Sequence, residues 1–234
     1  MTRSVQWTPA YRIVRSIFPP IDIFEDIADP ADWDLLASSQ TKLNPRLRDA
    51  IGTLALVPAS RRVSGPTASI AMGAFTHVSL SRPSRFSDGA FGVWYCGDRL
   101  EVALSETAYH FERFMRASDE PPADAEYRLL TCAVAGRVAV APATCLHPSD
   151  WNAGQRFGPA SRASGQDGVL YRSVRYPAGQ AAALFWPDCL SLPIQFDQRF
   201  RYRWDGLRMT HYLPHHAMAW SPWPIAGAVG RVQA

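Results

Sequence analysis

Apolar side chains return at three- and four-residue steps along Leu100, Ala103, Leu104, Ala108, Phe111 and Met115, the spacing of a helix face packed on a core. Asp98 and Glu101 stand at its start in a D-x-x-E arrangement that can cap a helix reciprocally. A second stripe carries Val102, Glu106, Tyr109, His110 and Arg113, so Glu106 is turned away from the main apolar face. Elsewhere the runs are shorter. Residues 11–14 predict an opening strand, and residues 74–80 and 89–96 two more, with Ser87, Asp88 and Gly89 as the turn between them. Residues 30–49 predict helix, with Pro30 near its start and Pro45 dividing it. Two β-rich runs between residues 127 and 141 flank Ala135 and Gly136, the pattern of a hairpin.

The second half is mostly β, because residues 168–175, 181–186 and 195–204 predict three further strands. Residues 149–168 form a Gly- and Ser-containing connection with room for a short helix, and residues 209–234 show no clear period. Together these elements predict an α+β fold, a mixed, mainly antiparallel sheet with flanking helices. One domain is expected, with an N-terminal helical region over 1–70, a core over 71–205 and an extension over 206–234.

A chain of 234 residues can bury a sizeable core, and its 47% hydrophobic and 19% charged content is that of a globular enzyme, not of a disordered segment. The net charge of +3 is too small to imply a nucleic-acid partner. No run approaches the roughly 18 apolar residues of a spanning helix, and residues 1–10 lack the apolar stretch of a secretory signal, so a cytoplasmic protein without membrane contact is expected. Cys96, Cys132, Cys145 and Cys189 form no C-x-x-C pair, and Pro214 interrupts the helical spacing of His211 and His215. Reduced, buried thiols and no metal are expected. Neither a G-x-G-x-x-G nor a P-loop signature is present.

Candidate chemistry concentrates between Arg85 and Glu106. Arg85 opens a Gly-containing turn, Tyr95 lies in the following strand and Glu106 in the next helix, an order that can gather a cation, an aromatic platform and a carboxylate in one cleft. A guanidinium matches phosphate by two parallel hydrogen bonds, a tyrosine ring can stack on a flat heterocycle, and a carboxylate can stabilise positive charge on a ribose. Each residue also has a plainer use. Arg85 can anchor a loop, Tyr95 can pack in its strand, Glu106 can pair with His110 one turn on, and Ser173 can lie at an exposed strand edge. Arg199, Arg201 and Arg203 alternate with Phe200, Tyr202 and Trp204, which gives one cationic and one aromatic face. Such a strand can bind RNA, although a half-buried strand is the simpler reading.

The Arg85–Tyr95–Glu106 order resembles the RES-domain toxins of bacterial toxin–antitoxin modules. Arg12 resembles the arginine of that family's opening Tyr-Arg pair, and Ser173 resembles its late serine, although Arg172 stands where a proline usually precedes it. The resemblance implies an ADP-ribosyltransferase-like fold, NAD+ as cosubstrate without a metal, and a cognate antitoxin protein. Arg12, Arg85, Tyr95 and Ser173 would then bind NAD+, with Glu106, Arg85 and Tyr95 catalytic. The long N-terminal region and the turn sequence are similar to the ParT branch. That branch implies transfer of ADP-ribose to a protein acceptor such as phosphoribosyl pyrophosphate synthetase. An NAD+ glycohydrolase or phosphorylase is the alternative within the family. Rivals outside it are a nucleic-acid-binding module built on residues 199–204 and a metal-independent hydrolase using Glu106 and His110.

Overall fold

The computed structural model describes residues 1–16, Trp33 and 51–229. Strands β1 (Thr2–Arg15), β2 (Trp94–Gly97), β3 (Ala123–Val140), β4 (Gly168–Arg172), β5 (Gln180–Leu184), β6 (Gln195–Trp204), β7 (Met209–Pro214) and β8 (Ser221–Pro222) form one sheet in the order β1-β2-β5-β4-β3-β6-β7-β8. β1 pairs with β3 as well as β2, so β1, β2, β5, β4 and β3 close on one another. Every pairing is antiparallel except β3 with β4. The expected α+β architecture, a mixed and mainly antiparallel sheet with helices against it, is the one observed.

Among the described residues three α-helices pack on this sheet, α1 (Ala68–Thr76), α2 (Leu100–Ala117) and α3 (Asn152–Ala163). The regular apolar face of α2 does what its spacing predicts: Ala103, Leu104, Ala108, Phe111 and Met115 are buried against Tyr127, Leu129, Phe200, Tyr202 and Trp204. Burying a large apolar side chain is worth about 1.5–3 kcal/mol, so this aromatic-rich contact fixes α2 firmly to β3 and β6. Phe200, Tyr202 and Trp204 of β6 therefore belong to the core, while Phe196 and the arginines of the strand are exposed. Arg201 lies 3.3 Å from Glu126 and Arg203 lies 3.1 Å from Asp124. The three aromatics that alternate with the arginines are thus taken up by the core, and two of the three cations have acidic neighbours.

Several sequence expectations are corrected. Residues 74–80 are not a strand, because Ala68, Ala71, Met72 and Phe75 bury one face of α1 at three- and four-residue spacing. Apparent alternation over so short a stretch does not separate the two periods. The expected hairpin at Ala135–Gly136 is instead the middle of the 18-residue β3, which pairs Gly136 with Val5. A Cβ at Gly136 would come within 3.0 Å of the Asp167 Cβ, so glycine here allows close approach and not a turn. β1 starts at Thr2, well before residue 11, and β2 is confined to Trp94–Gly97. The Ser87–Gly89 turn is present, with Gly89 at φ +97°.

The D-x-x-E cap does not form. Asp98 accepts the Gln180 N–H at 3.0 Å and the Arg99 Nε at 3.2 Å, while the α2 N-terminus has no side-chain cap. The connection over 149–168 holds α3, and the region without a clear period contains β7 and β8. Of the helix expected over 30–49 only Trp33 is described, helical and buried; the rest lies outside the described residues. All four cysteines are buried and unpaired. No described helix is long and apolar enough to cross a membrane.

Candidate active site

Small residues make room for the site. β5 sets Ala181, Ala182 and Ala183 opposite Gly97, Cys96 and Tyr95 of β2, and the resulting cavity of about 220 Å³ is bounded by β1, β2, α2 and the loop before α3. Arg12, Arg85, Tyr95 and Glu106, named from the sequence, all line it together with His110 and Trp151. Glu106 is the only carboxylate among the lining residues described. Ser173 is buried just behind and donates to Glu106 Oε1 at 2.8 Å. Sequence-distant positions thus meet because β2 turns into α2 at Gly97, where a Cβ would lie 2.7 Å from Val102.

The direction of the Ser173 hydrogen bond is fixed by its other contacts. Its Oγ accepts the Tyr176 N–H at 3.0 Å and the Arg175 N–H at 3.3 Å, so its single proton is directed to Glu106. One carboxylate oxygen is thereby held in place. Ser173→Ala removes a hydrogen bond to a charged group worth about 1.5–3 kcal/mol, so turnover should fall about 10- to 100-fold. Steady-state rates on folded protein check this, and an unchanged rate contradicts it.

Each cation is anchored differently. Arg12 donates to the Tyr95 carbonyl at 3.1 Å and lies 4.4 Å from the Trp94 ring centroid. Burial lowers its pKa to about 10, still charged at neutral pH. Arg85 is buried, and its Nη1 donates to the carbonyls of Cys145 at 3.1 Å and His147 at 2.8 Å. Part of its fork therefore holds the loop that carries Trp151, the plainer of its two sequence readings. The Tyr95 hydroxyl donates to Ser84 Oγ at 2.8 Å and accepts the Phe86 N–H at 3.0 Å, which leaves its ring as a cavity wall. Burial pushes its pKa up.

Sequence reading missed Arg175, Trp151 and Tyr171. Arg175 is buried, lies 3.4 Å from the Tyr109 ring centroid and donates to the Pro148 carbonyl. Its place two residues after Ser173 was the available signal. His110 is exposed toward the cleft, yet the surrounding protein, followed by the charges of Arg175, Arg113 and Arg85, lowers its pKa to about 4. The folded chain therefore holds this proton less tightly than the unfolded chain. Whatever stability the neutral imidazole contributes is present above the ordinary histidine value near 6.5 and is lost as pH falls toward about 4. In an NMR titration the His110 ring should stay neutral through pH 5; a midpoint near 6.5 contradicts the arrangement.

The Arg85 turn is seated by helix α3. Cβ atoms on Gly154 and Gly158 would collide with the carbonyl oxygens of Arg85 and Phe86, so this i, i+4 glycine pair lets the helix lie directly on the turn. Gly158→Ala should destabilise the fold by about 1–3 kcal/mol through overpacking. Equilibrium unfolding tests this, and unchanged stability would show that the turn can move aside at no cost.

A larger cavity of about 560 Å³ shares Ser84 and Tyr95 with the first and is lined by Thr76, Ser79, Arg82 and Ser87 among others. No carboxylate is among its described lining residues. The smaller cavity, where the carboxylate and the buried cations meet, is the better place for chemistry.

The RES domain model matches residues 59–205, and this chain belongs to the RES-domain family. The match takes in Arg85, Tyr95, Glu106 and Ser173, and Arg12 precedes it. The protein y4oC of Sinorhizobium fredii is 26% identical over 203 residues, covering 86% of this chain and 84% of that protein. Among solved structures, the M. tuberculosis MbcT–MbcA toxin–antitoxin complex matches with a TM-score of 0.41 and 14% identity, over 84% of this chain and 85% of the other.

Proposed function

We propose that this protein is a RES-type toxin that breaks the nicotinamide–ribose bond of NAD+ and transfers ADP-ribose to a protein side chain. The observation that carries the reading is the Ser173-held Glu106, the lone described carboxylate lining a cavity that also contains Arg12, Arg85 and Tyr95. In the cleavage step the bonding electrons leave with nicotinamide, a neutral ring, and positive charge develops on the ribose. A fixed carboxylate beside that sugar stabilises the transition state more than the ground state. Tyr95 serves as the wall against which the ring rests.

The cavity, at about 220 Å³, is smaller than the roughly 300–1,000 Å³ of sites that enclose whole drug-sized ligands. It suits the nicotinamide-ribose end, with the adenylate outside. Arg12 and Arg85 supply positive charge and shape around that end. An enzyme that consumes NAD+ endangers its own cell, so the reading includes a cognate antitoxin protein that covers the cleft.

Resemblance to the ParT branch supports a protein acceptor, of which phosphoribosyl pyrophosphate synthetase is the type. Adenylate-labelled NAD+ incubated with the protein and cell lysate tests the acceptor. One or a few labelled protein bands are expected. Label found only as free ADP-ribose, at a rate unaffected by lysate, would replace transfer with glycohydrolysis.

A further inference from the structure

Arg113 lies on α2 seven residues beyond Glu106, on the same stripe, about 10 Å further along the helix axis. Unlike Arg12, Arg85 and Arg175, which donate to backbone carbonyls, it makes no hydrogen bond or ion pair with a described residue. Its guanidinium is exposed and lies 4.5 Å from the ring centroid of Trp151, a residue lining the cavity. Such stacking limits the motion of a long side chain while leaving N–H groups at the guanidinium edge for a ligand. His110 lies between the two ends of this stripe, its ring 5.8 Å from Trp151, and lines the cavity. A carboxylate thus lines the cavity, and an exposed cation without a described acidic partner stands against Trp151 of its wall.

That polarity matches one molecule from end to end. A dinucleotide attached through a nicotinamide ribose develops positive charge at the buried sugar and carries negative charge on the pyrophosphate that follows it. The axial separation of about 10 Å between Glu106 and Arg113 is on the order of the distance from a ribose to the phosphates that follow it. We propose that Arg113, held on Trp151, recognises the ligand pyrophosphate and restricts the site to dinucleotides over nicotinamide nucleosides. This assignment rests on the proposed NAD+ reading. Arg12 and Arg85, each held by its Nη1 on backbone carbonyls, then shape the inner cavity, and phosphate selection falls to the exposed guanidinium of Arg113.

The test is a comparison of two ligands that differ in phosphate. Calorimetric binding of NAD+ and of nicotinamide riboside is measured on the full chain and its Arg113→Ala variant, alongside nicotinamide release from NAD+. Loss of a charged phosphate contact should weaken NAD+ binding about tenfold or more, leave nicotinamide riboside binding unchanged and raise KM with little change in kcat. Arg113→Lys should recover only part of the affinity, since an ammonium cannot make the two-pronged contact. Unchanged NAD+ affinity in Arg113→Ala, or an equal loss for both ligands, overturns the assignment while the NAD+ reading stands. A wild-type chain that neither binds nor cleaves NAD+ overturns that reading and, with it, this one.

Discussion

Glu106→Gln should lower nicotinamide release from NAD+ by about 10²–10³-fold while leaving the fold intact, the scale of removing one electrostatic stabiliser of a transition state. The amide keeps the size of the side chain and can still accept from Ser173, so the hydrogen bond observed at 2.8 Å can survive. What disappears is the negative charge beside the developing ribose cation. The loss should therefore appear in kcat and kcat/KM together, with NAD+ binding little changed. Circular dichroism and a thermal melt establish that the variant is folded. A folded variant with near-wild-type turnover would remove Glu106 from the chemistry.

Arg85→Ala is expected to fail in a different way, because Arg85 has a structural task as well as a place in the cavity. Its loss leaves the Cys145 and His147 carbonyls without the donor that now sits 3.1 and 2.8 Å from them. Hydrogen bonds to charged groups are worth about 1.5–3 kcal/mol each, and the two share one nitrogen, so about 3 kcal/mol is expected in all. At roughly 2–4 °C per kcal/mol for a chain of this size, the melting temperature should drop by roughly 10 °C. NAD+ affinity should fall as well, since Trp151 follows this loop into the cavity wall. Wild-type stability with lost affinity would make Arg85 a ligand residue alone, and lost stability with unchanged affinity would make it a loop anchor alone.

The elements that could be read in the sequence are those whose own periodicity decides their packing. α2 and β6 are buried along the faces their three-to-four and two-residue spacings mark, since both lie on the same aromatic core. Residues 74–80 mislead because the helix face that ends in them is marked only with Ala68, Ala71 and Met72 upstream, and Gly136 misleads because its close approach to Asp167 leaves no local trace. In the same way Asp98 carries a capping signal but is taken by Gln180 on β5. The Arg12, Arg85, Tyr95, Glu106 and Ser173 set was legible through its order and its family resemblance, and the fold gathers it. Arg175 and Trp151 were not, because their roles arise from the 145–151 loop folding over α2, a contact that no spacing encodes.

Release of free nicotinamide from NAD+ by the purified chain, with and without added cell lysate, tests the proposed chemistry most directly. Nicotinamide should accumulate with wild-type protein and be nearly abolished by Glu106→Gln, and lysate should increase it by supplying the acceptor. If the folded wild-type protein forms no nicotinamide under either condition, the cavity around Glu106 does not cleave NAD+.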